Sequence, residues 1–243
     1  MESLYDVHCH LIPGVDDGSR DLEESLCALQ LAYQQGIRTV LCTPHLSGED
    51  TGAHYEKIHT QFTQLADAVQ KQSYGSDMEL YLGNELYYSD AILEKLKNGQ
   101  ADTMAGSQYV LVEFDPGEAY PVLHRALRNL LNHGYMPILA HMERYRCLEG
   151  REQHLRELET MGIYLQVNAS ALSGSFLNPS AFRIRKLMRQ GHIHLLATDS
   201  HGTHYRPPRK EAAAAWIRRH CQAEIAERIL YENPRRIIAD QVI

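Results

Sequence analysis

Tyr5-Asp6-Val7-His8-Cys9-His10 is a short run of alternating apolar and polar side chains that ends in a His-x-His pair. In a strand, residues i and i+2 share a face, so His8 and His10 project together from one strand end. Two imidazoles held side by side are a ready metal-ligand pair. Alone, the same pair also reads as two polar residues at a strand end. Four later stretches decide between the readings: Cys42-Thr43-Pro44-His45, Gly83-Asn84-Glu85, Ala140-His141-Met142-Glu143-Arg144-Tyr145 and Thr198-Asp199-Ser200-His201. Each follows an apolar run and brings metal-type ligands.

Seven apolar, β-rich runs stand out along the chain: Tyr5–His10, Thr39–His45, Met78–Glu85, Tyr109–Phe114, Met136–His141, Tyr164–Ala169 and His194–Asp199. Most are nearly continuous in apolar residues, as strands buried on both faces are. Between them lie helical patterns at Leu22–Gln34, Tyr55–Lys71, Ala91–Lys97, Pro121–Asn132, Arg151–Met161, Pro179–Gln190 and Arg209–His220. Leu22–Gln34 places Leu22, Leu26, Leu29 and Tyr33 on one face and has Gly36 as a stop. Strand and helix in alternation imply βαβ units and a parallel sheet. Seven units predict an α/β barrel of the (β/α)₈ type with one strand fewer, as a single domain over residues 1–243. The tail reads as two short helices, Ala223–Tyr231 and a second with Asn233 as N-cap and Pro234 at its first position. The polar, glycine-containing stretch Gly48–Ala53 is the expected mobile loop over the site.

Composition narrows the classes. The chain has 243 residues and a formal net charge of −7 with histidine neutral. That balance argues against nucleic acid as the main partner, and a phosphate-bearing substrate requires local cations to reverse the field. No run of eighteen apolar residues occurs, so no membrane insertion is expected. The start, MESLYDVHCH, has neither a basic nor an apolar leader region, and a cytoplasmic location is expected. The basic stretch Arg183–Arg189 is interrupted by Ile184, Leu187 and Met188 and reads as a solvated helix face.

In parallel barrels the loops at the carboxyl ends of the strands carry the chemistry. Six of the seven runs end in a ligand-type side chain: His8 and His10, His45, Glu85, Glu113, His141, and Asp199 with His201. Asp16 and Asp17 follow the first run in a Val-Asp-Asp-Gly turn. A barrel brings these groups to one mouth. Imidazole and carboxylate without thiolate suit Mn, Fe or Zn, and so many ligands imply more than one ion. Glu85, after a Gly-Asn turn, is the expected bridge. Spacing argues against the cysteines as phosphatase nucleophiles and for them as packing residues. Cysteine phosphatases need Cys-x5-Arg, but the residues six beyond the five cysteines are Val15, Tyr33, Gly48, Gln153 and Glu227.

The ordered set Asp6-Val7-His8-Cys9-His10, Val15-Asp16-Asp17-Gly18, Thr43-Pro44-His45, Glu85, Ala140-His141-Met142-Glu143-Arg144-Tyr145, Asp199-Ser200-His201, Arg206-Pro207-Pro208 and Asn233-Pro234-Arg235-Arg236 resembles the PHP (polymerase and histidinol phosphatase) family. Within it, the set is similar to the manganese-dependent protein-tyrosine phosphatases of bacterial capsule and exopolysaccharide loci. The resemblance implies a distorted (β/α)₇ TIM-like barrel with three metal ions, Mn²⁺ first and Fe or Zn as alternatives. It implies ligands at His8, His10, Asp17, His45, Glu85, Glu113, His141, Asp199 and His201, with Asp17 chosen over Asp16 by the position of Gly18. Asp199 and His201 would also serve catalysis, and Arg144 and Arg206 would bind the phosphoryl group. The implied substrate is a phosphotyrosine-bearing protein, the tail of a bacterial tyrosine kinase. A small-molecule phosphatase acting on histidinol phosphate is the alternative within the same chemistry, and a non-catalytic metal-stabilised module the alternative outside it.

Overall fold

Strands and helices alternate along the chain in the order the sequence predicts, and every strand pairing is parallel. The computed structural model describes residues 3–173 and 178–243. Its strands are β1 (Leu4–Cys9), β2 (Ile37–Cys42), β3 (His45–Leu46), β4 (Glu79–Leu82), β5 (Glu85–Tyr87), β6 (Tyr109–Glu113), β7 (Met136–Leu139), β8 (Tyr164–Asn168) and β9 (Leu195–Ala197). One sheet has the order β1-β2-β4 and the other β3-β5-β6-β7-β8-β9.

Two of the seven runs are each broken in two. Thr39–His45 divides at Thr43-Pro44, where proline has no N–H for a ladder. Met78–Glu85 divides at Gly83-Asn84, where a Cβ on Gly83 would lie 3.1 Å from Met104 Cα. Because β2 runs on into β3 and β4 into β5, the two sheets are one curled surface with seven strand positions. The seam between β9 and β1 holds a single bridge, Cys9 with Ser200. Across it His10 N donates to Ser200 O (2.7 Å) and Asp199 N to His8 O (2.9 Å). The result is a distorted (β/α)₇ barrel of the TIM-like class.

A β-bulge aims the first strand. Asp6 pairs with Val40 and Cys9 with Cys42, so β1 spends one residue more than β2 over that interval. Bulges bend a strand and redirect side chains, often beside a functional site. Here Val7 joins the barrel interior with Leu41, Leu111, Ile138, Leu195 and Ala197, while His8 and His10 turn to the mouth above. Ile237 from the C-terminal segment packs into the same interior cluster.

Outside the barrel run α1 (Leu22–Gln34), α2 (Gly52–Val69), α3 (Asp90–Lys97), α4 (Tyr120–Asn132), α5 (Glu152–Met161), the short α6 (Ala169–Leu172), α7 (Pro179–Gln190) and α8 (Glu211–His220). Their buried faces, such as Ala28, Leu29 and Ala32 of α1, form the larger core against the strands. The tail differs from the two capped helices read in the sequence. α9 (Ala223–Glu227) continues through a widened turn at Arg228–Glu232 into α10 (Asn233–Ile238). Asn233 is helical itself (φ −62°, ψ −47°) and not an N-cap; its Nδ2 donates to His194 O at 2.9 Å. Pro234 lacks an N–H and crowds the preceding turn, and a wide turn absorbs that without breaking the helix. The Gly48–Ala53 segment is pinned. Ser47 N donates to Asp50 Oδ2 (2.6 Å), Lys95 Nζ donates to Asp50 O, and Thr51 caps α2. Among the described residues no helix is long and apolar enough to cross a membrane.

Candidate metal centre

All nine side chains read as ligands meet at the carboxyl ends of the strands; eight of them fall in three overlapping groups, and His141 joins through Glu85 and Glu113. His8, His10, Glu85 and Asp199 form one; His10, Asp17, His45 and His201 a second; His45, Glu85 and Glu113 a third. Glu85 lies at the centre. Its Oε2 is 3.1 Å from both His8 Nε2 and His10 Nε2 and 3.2 Å from His45 Nδ1, and its Oε1 is 2.8 Å from His141 Nε2. His141 also lies 3.5 Å from Glu113 Oε2. Asp17 Oδ1 stands 3.5 Å from His45 Nε2 and from His201 Nε2. Gly18 lets this loop fold over the first strand, since a Cβ there would sit 2.0 Å from His10 O.

The two aspartates of the turn divide the work. Asp17 faces the cluster, and Asp16 stands behind it. Asp16 Oδ2 accepts from His10 Nδ1 (2.8 Å) and from His45 N (3.1 Å), and Oδ1 accepts from Gly18 N (3.0 Å). Two strand ends carry strained backbone: His141 (φ 32°) and Asp199 (φ 53°) are both left-handed, a conformation that non-glycine residues adopt at a cost.

Tautomers follow from the hydrogen bonds. His141 N donates to Gln166 Oε1 (2.8 Å), which fixes that atom as the oxygen. His8 Nδ1, 3.1 Å from the same oxygen, therefore carries its hydrogen. His10 Nδ1 donates to Asp16 and His201 Nδ1 to Asp199 O (2.9 Å). The Nε2 lone pairs of His8 and His10 then face each other at 3.2 Å, and the buried Nε2 of His201 has no hydrogen-bond partner. Facing lone pairs need a proton or a cation between them. An acceptor behind each Nδ1 leaves Nε2 free to bind a cation, and the donor set fits divalent ions with mixed nitrogen and oxygen preference.

Protonation of the metal-free cluster tells the same story. Burial disfavours charge on His10, but Asp16, Asp199 and Glu85 hold its pKa well above the ordinary value. Burial likewise opposes charge on His141, and Glu113 and Glu85 overcome it, to about 9. Burial raises the Glu85 carboxyl less than His8, His10 and His141 lower it, and it ends well below the usual range. Asp199 is held low in the same way, against burial, by His8, His10 and Arg144. His201 goes down to about 4, through burial and the nearby His10. Protons thus occupy positions that cations would take, and metal uptake must displace them.

Arg144 Nη2 and Arg206 Nη1 (3.0 Å) both donate to Asp199 Oδ2, and both side chains are about one-third exposed, at 36% and 33%. The backbone of Arg206 is pinned, because its carbonyl accepts from His201 N (3.0 Å) and Ser200 Oγ (3.0 Å).

Sequence reasoning missed three supports. β8, the one strand without a ligand-type end, supplies Gln166 and Asn168; Gln166 Nε2 donates to Asn168 Oδ1 (2.9 Å) and Asn168 Nδ2 to Asp199 Oδ2 (2.8 Å). The signal was there: two amides at i and i+2 in an otherwise apolar run. Asp6 accepts from Thr198 N (2.8 Å) and Thr198 Oγ1 (2.5 Å) across the seam, and the fully buried Lys210 donates to Tyr5 O and Leu196 O on its two sides. Glu143 accepts from Asn168 N at 3.1 Å.

Residues 4–239 match the model of the family described as capsular polysaccharide synthesis, CpsB/CapC. The chain belongs to the CpsB/CapC family. Among curated relatives, the tyrosine-protein phosphatase CpsB of Streptococcus pneumoniae is 34% identical over 99% of this chain and 100% of its own. The tyrosine-protein phosphatase YwqE of Bacillus subtilis is 28% identical over 99% and 93%. Among solved structures, one from a study of YwqE and CpsB as metal-dependent tyrosine phosphatases superposes with a TM-score of 0.86 at 26% identity, covering 99% of this chain and 96% of that one. The phosphotriesterase homology protein of Escherichia coli, at TM-score 0.55 and 11% identity over 97% and 98%, shares the fold. This CpsB/CapC member therefore has the barrel of that family and of more distant TIM-like hydrolases.

Proposed function

We propose that this CpsB/CapC member is a metal-dependent protein-tyrosine phosphatase. The observation that carries the reading is the convergence of nine metal-competent side chains and two arginines on one mouth, in a chain 34% identical to a tyrosine-protein phosphatase along its whole length. His8, His10, Asp17, His45, Glu85, Glu113, His141, Asp199 and His201 would hold the ions. Three groups, two of which contain Glu85, would suit three ions, and Mn²⁺ is the ion we assign, with Fe or Zn as alternatives. When bound, such ions supply a water of lowered pKa and positive charge against the phosphoryl oxygens.

The chain's own residues do the rest. Gln166 and Asp16 hold His8 and His10 with their Nε2 lone pairs inward. His201 is held likewise by the Asp199 carbonyl and offers a lone pair, not a proton. Arg144 and Arg206 each spend an N–H on Asp199 and keep others for the substrate. A planar guanidinium donates two bonds at once to phosphoryl oxygens. The tyrosyl oxygen, with a pKa of about 10, is a moderate leaving group and needs little help from a protein acid. In the same reading residues 1–243 are one domain, the protein works in the cytoplasm, and its partner is the phosphorylated tail of a bacterial tyrosine kinase.

The test sets a tyrosine-phosphorylated peptide beside histidinol phosphate, with chelator-stripped protein reloaded singly with Mn²⁺, Fe²⁺, Zn²⁺ or Mg²⁺. Metal-dependent phosphate release from the peptide, with little from histidinol phosphate, is expected. Preference for histidinol phosphate would keep the centre and overturn the substrate.

A further inference from the structure

A groove of about 620 Å³ lies between α3 and α4, lined by Tyr88, Ser89, Val122, Arg125, Arg128 and Asn129 among others. It begins beside the metal centre. Tyr88 N donates to the carbonyl of Glu113 (3.1 Å), whose carboxylate is in the cluster, and the Tyr88 ring stacks on Phe114 at 5.5 Å. From there it follows α4 away from the mouth. Val122 sits in the first turn of that helix and Asn132 at its end, about 15 Å further at 1.5 Å per residue. An extended peptide covers that length in about four or five residues.

Its chemistry differs from that of the surrounding protein. Arg125 and Arg128 are exposed, stand one turn apart on α4, and have no hydrogen-bond or ion-pair partner among the described residues. Asp90 is the acidic group in the lining. Two unpaired guanidiniums in a chain of net charge −7 make a local cationic field against an acidic background. Asn129 Nδ2 donates to Tyr88 Oη (3.0 Å), which leaves the tyrosine hydrogen free for an acceptor in the groove.

We propose that this groove binds an anionic side chain of the substrate polypeptide, carboxylate or phosphoryl, within about five residues of the phosphotyrosine in the centre. The proposal rests on the phosphotyrosine reading above. It adds a second point of attachment, which sets which phosphotyrosine of a protein is taken.

The experiment compares the metal-loaded full chain with an Arg125→Glu/Arg128→Glu variant. Both residues are exposed and make no internal bonds, so the fold should be undisturbed. The substrates are phosphotyrosine peptides with glutamate, a second phosphotyrosine or glutamine placed two to five residues to either side, together with p-nitrophenyl phosphate. The wild type should show a lower KM for the anionic peptides than for the glutamine peptide. The variant should lose that advantage, with KM rising about tenfold at low salt, less at high salt, and kcat unchanged. The glutamate and phosphotyrosine arms separate a carboxylate from a phosphoryl ligand. Activity on p-nitrophenyl phosphate should be equal in both proteins. Equal wild-type KM values across the peptides would overturn the groove alone. Wild-type inactivity on every substrate would overturn the phosphatase reading and this proposal with it.

Discussion

Asp16 and Asp17 are neighbours of one chemical type, and the geometry assigns them different jobs. Asp16→Asn tests the assignment. In the native protein two N–H groups, His10 Nδ1 and His45 N, end on Asp16 Oδ2, and Gly18 N ends on Oδ1. Asparagine offers one oxygen and one NH₂, so at least one of those donors is left facing another donor. Leaving a buried donor unpaired costs about 1–3 kcal/mol, and a charge-assisted bond to His10 is replaced by a neutral one. Removing the carboxylate behind a metal-binding histidine typically weakens metal affinity about 10- to 100-fold, which corresponds to about 1.4–2.7 kcal/mol. The expected result is a folded protein with lowered thermal stability, whose metal affinity falls within that range and whose activity returns at high metal. Asp17→Asn behaves in the opposite way. Its side chain is 65% exposed and spends itself on the cluster, so stability should hold while the ion of the His10-Asp17-His45-His201 group is lost. The assay is competition against a fluorescent chelator alongside thermal melts of the metal-free proteins. If Asp16→Asn abolished binding while Asp17→Asn left it intact, Asp16 would be the ligand and the reasoning would be wrong.

Arg144→Ala should lower phosphotyrosine hydrolysis by roughly 100-fold while metal content stays near normal, because Asp199 Oδ2 keeps Arg206 (3.0 Å) and Asn168 (2.8 Å); elemental analysis showing lost metal would make the arginine structural. Gln166→Leu strips the acceptor from His8 Nδ1 and His141 N, both buried, and should cost about 1–3 kcal/mol in denaturant unfolding and weaken metal binding; an unchanged midpoint would refute the orienting role. In the metal-free protein the His141 pKa lies above its unfolded value, at about 9. Its contribution to stability is therefore complete below about pH 6.5 and lost as pH rises through 9. Thermal melts of stripped protein should fall across that window, and calorimetry in two buffers of different ionisation enthalpy should show proton release on metal uptake at pH 7.5. A flat melting curve or buffer-independent heats would contradict the proton positions.

The barrel was legible because its strands are buried on both faces and so appear as near-continuous apolar runs, separated by helices of 3.6-residue period. The candidate ligands were legible because barrels display strand ends, and His8, His10, His45, Glu85, Glu113, His141, Asp199 and His201 sit at those ends. What could not be read was whatever depends on the third dimension. Pro44 and Gly83 each break a strand so that the sheet can curl, but a proline or glycine in a run does not announce where the chain goes next. The bulge between Asp6 and Cys9 exists only relative to β2. Asp16, Gln166 and Asn168 act through other side chains, and their spacing matches no ligand pattern. Nothing in the sequence singles out Lys210, yet it is fully buried, where burial brings its pKa down to about 8, and it closes the seam that Asp6 and Thr198 share. The tail failed for a local reason: Asn-Pro is a strong helix-start signal, and here tertiary contact with His194 keeps the helix running through it.

The most direct measurement is a metal titration of chelator-stripped protein in which bound ions per chain and phosphate release from a phosphotyrosine peptide are read on the same samples, with Glu85→Gln as control. Activity should be absent from the stripped protein and appear only as the ions load. In Glu85→Gln it should remain absent even at metal concentrations that saturate the wild type, because four histidines lose the carboxylate they share. Full hydrolysis by the stripped protein, or by Glu85→Gln without bound metal, would contradict the central claim that this cluster is the centre of catalysis.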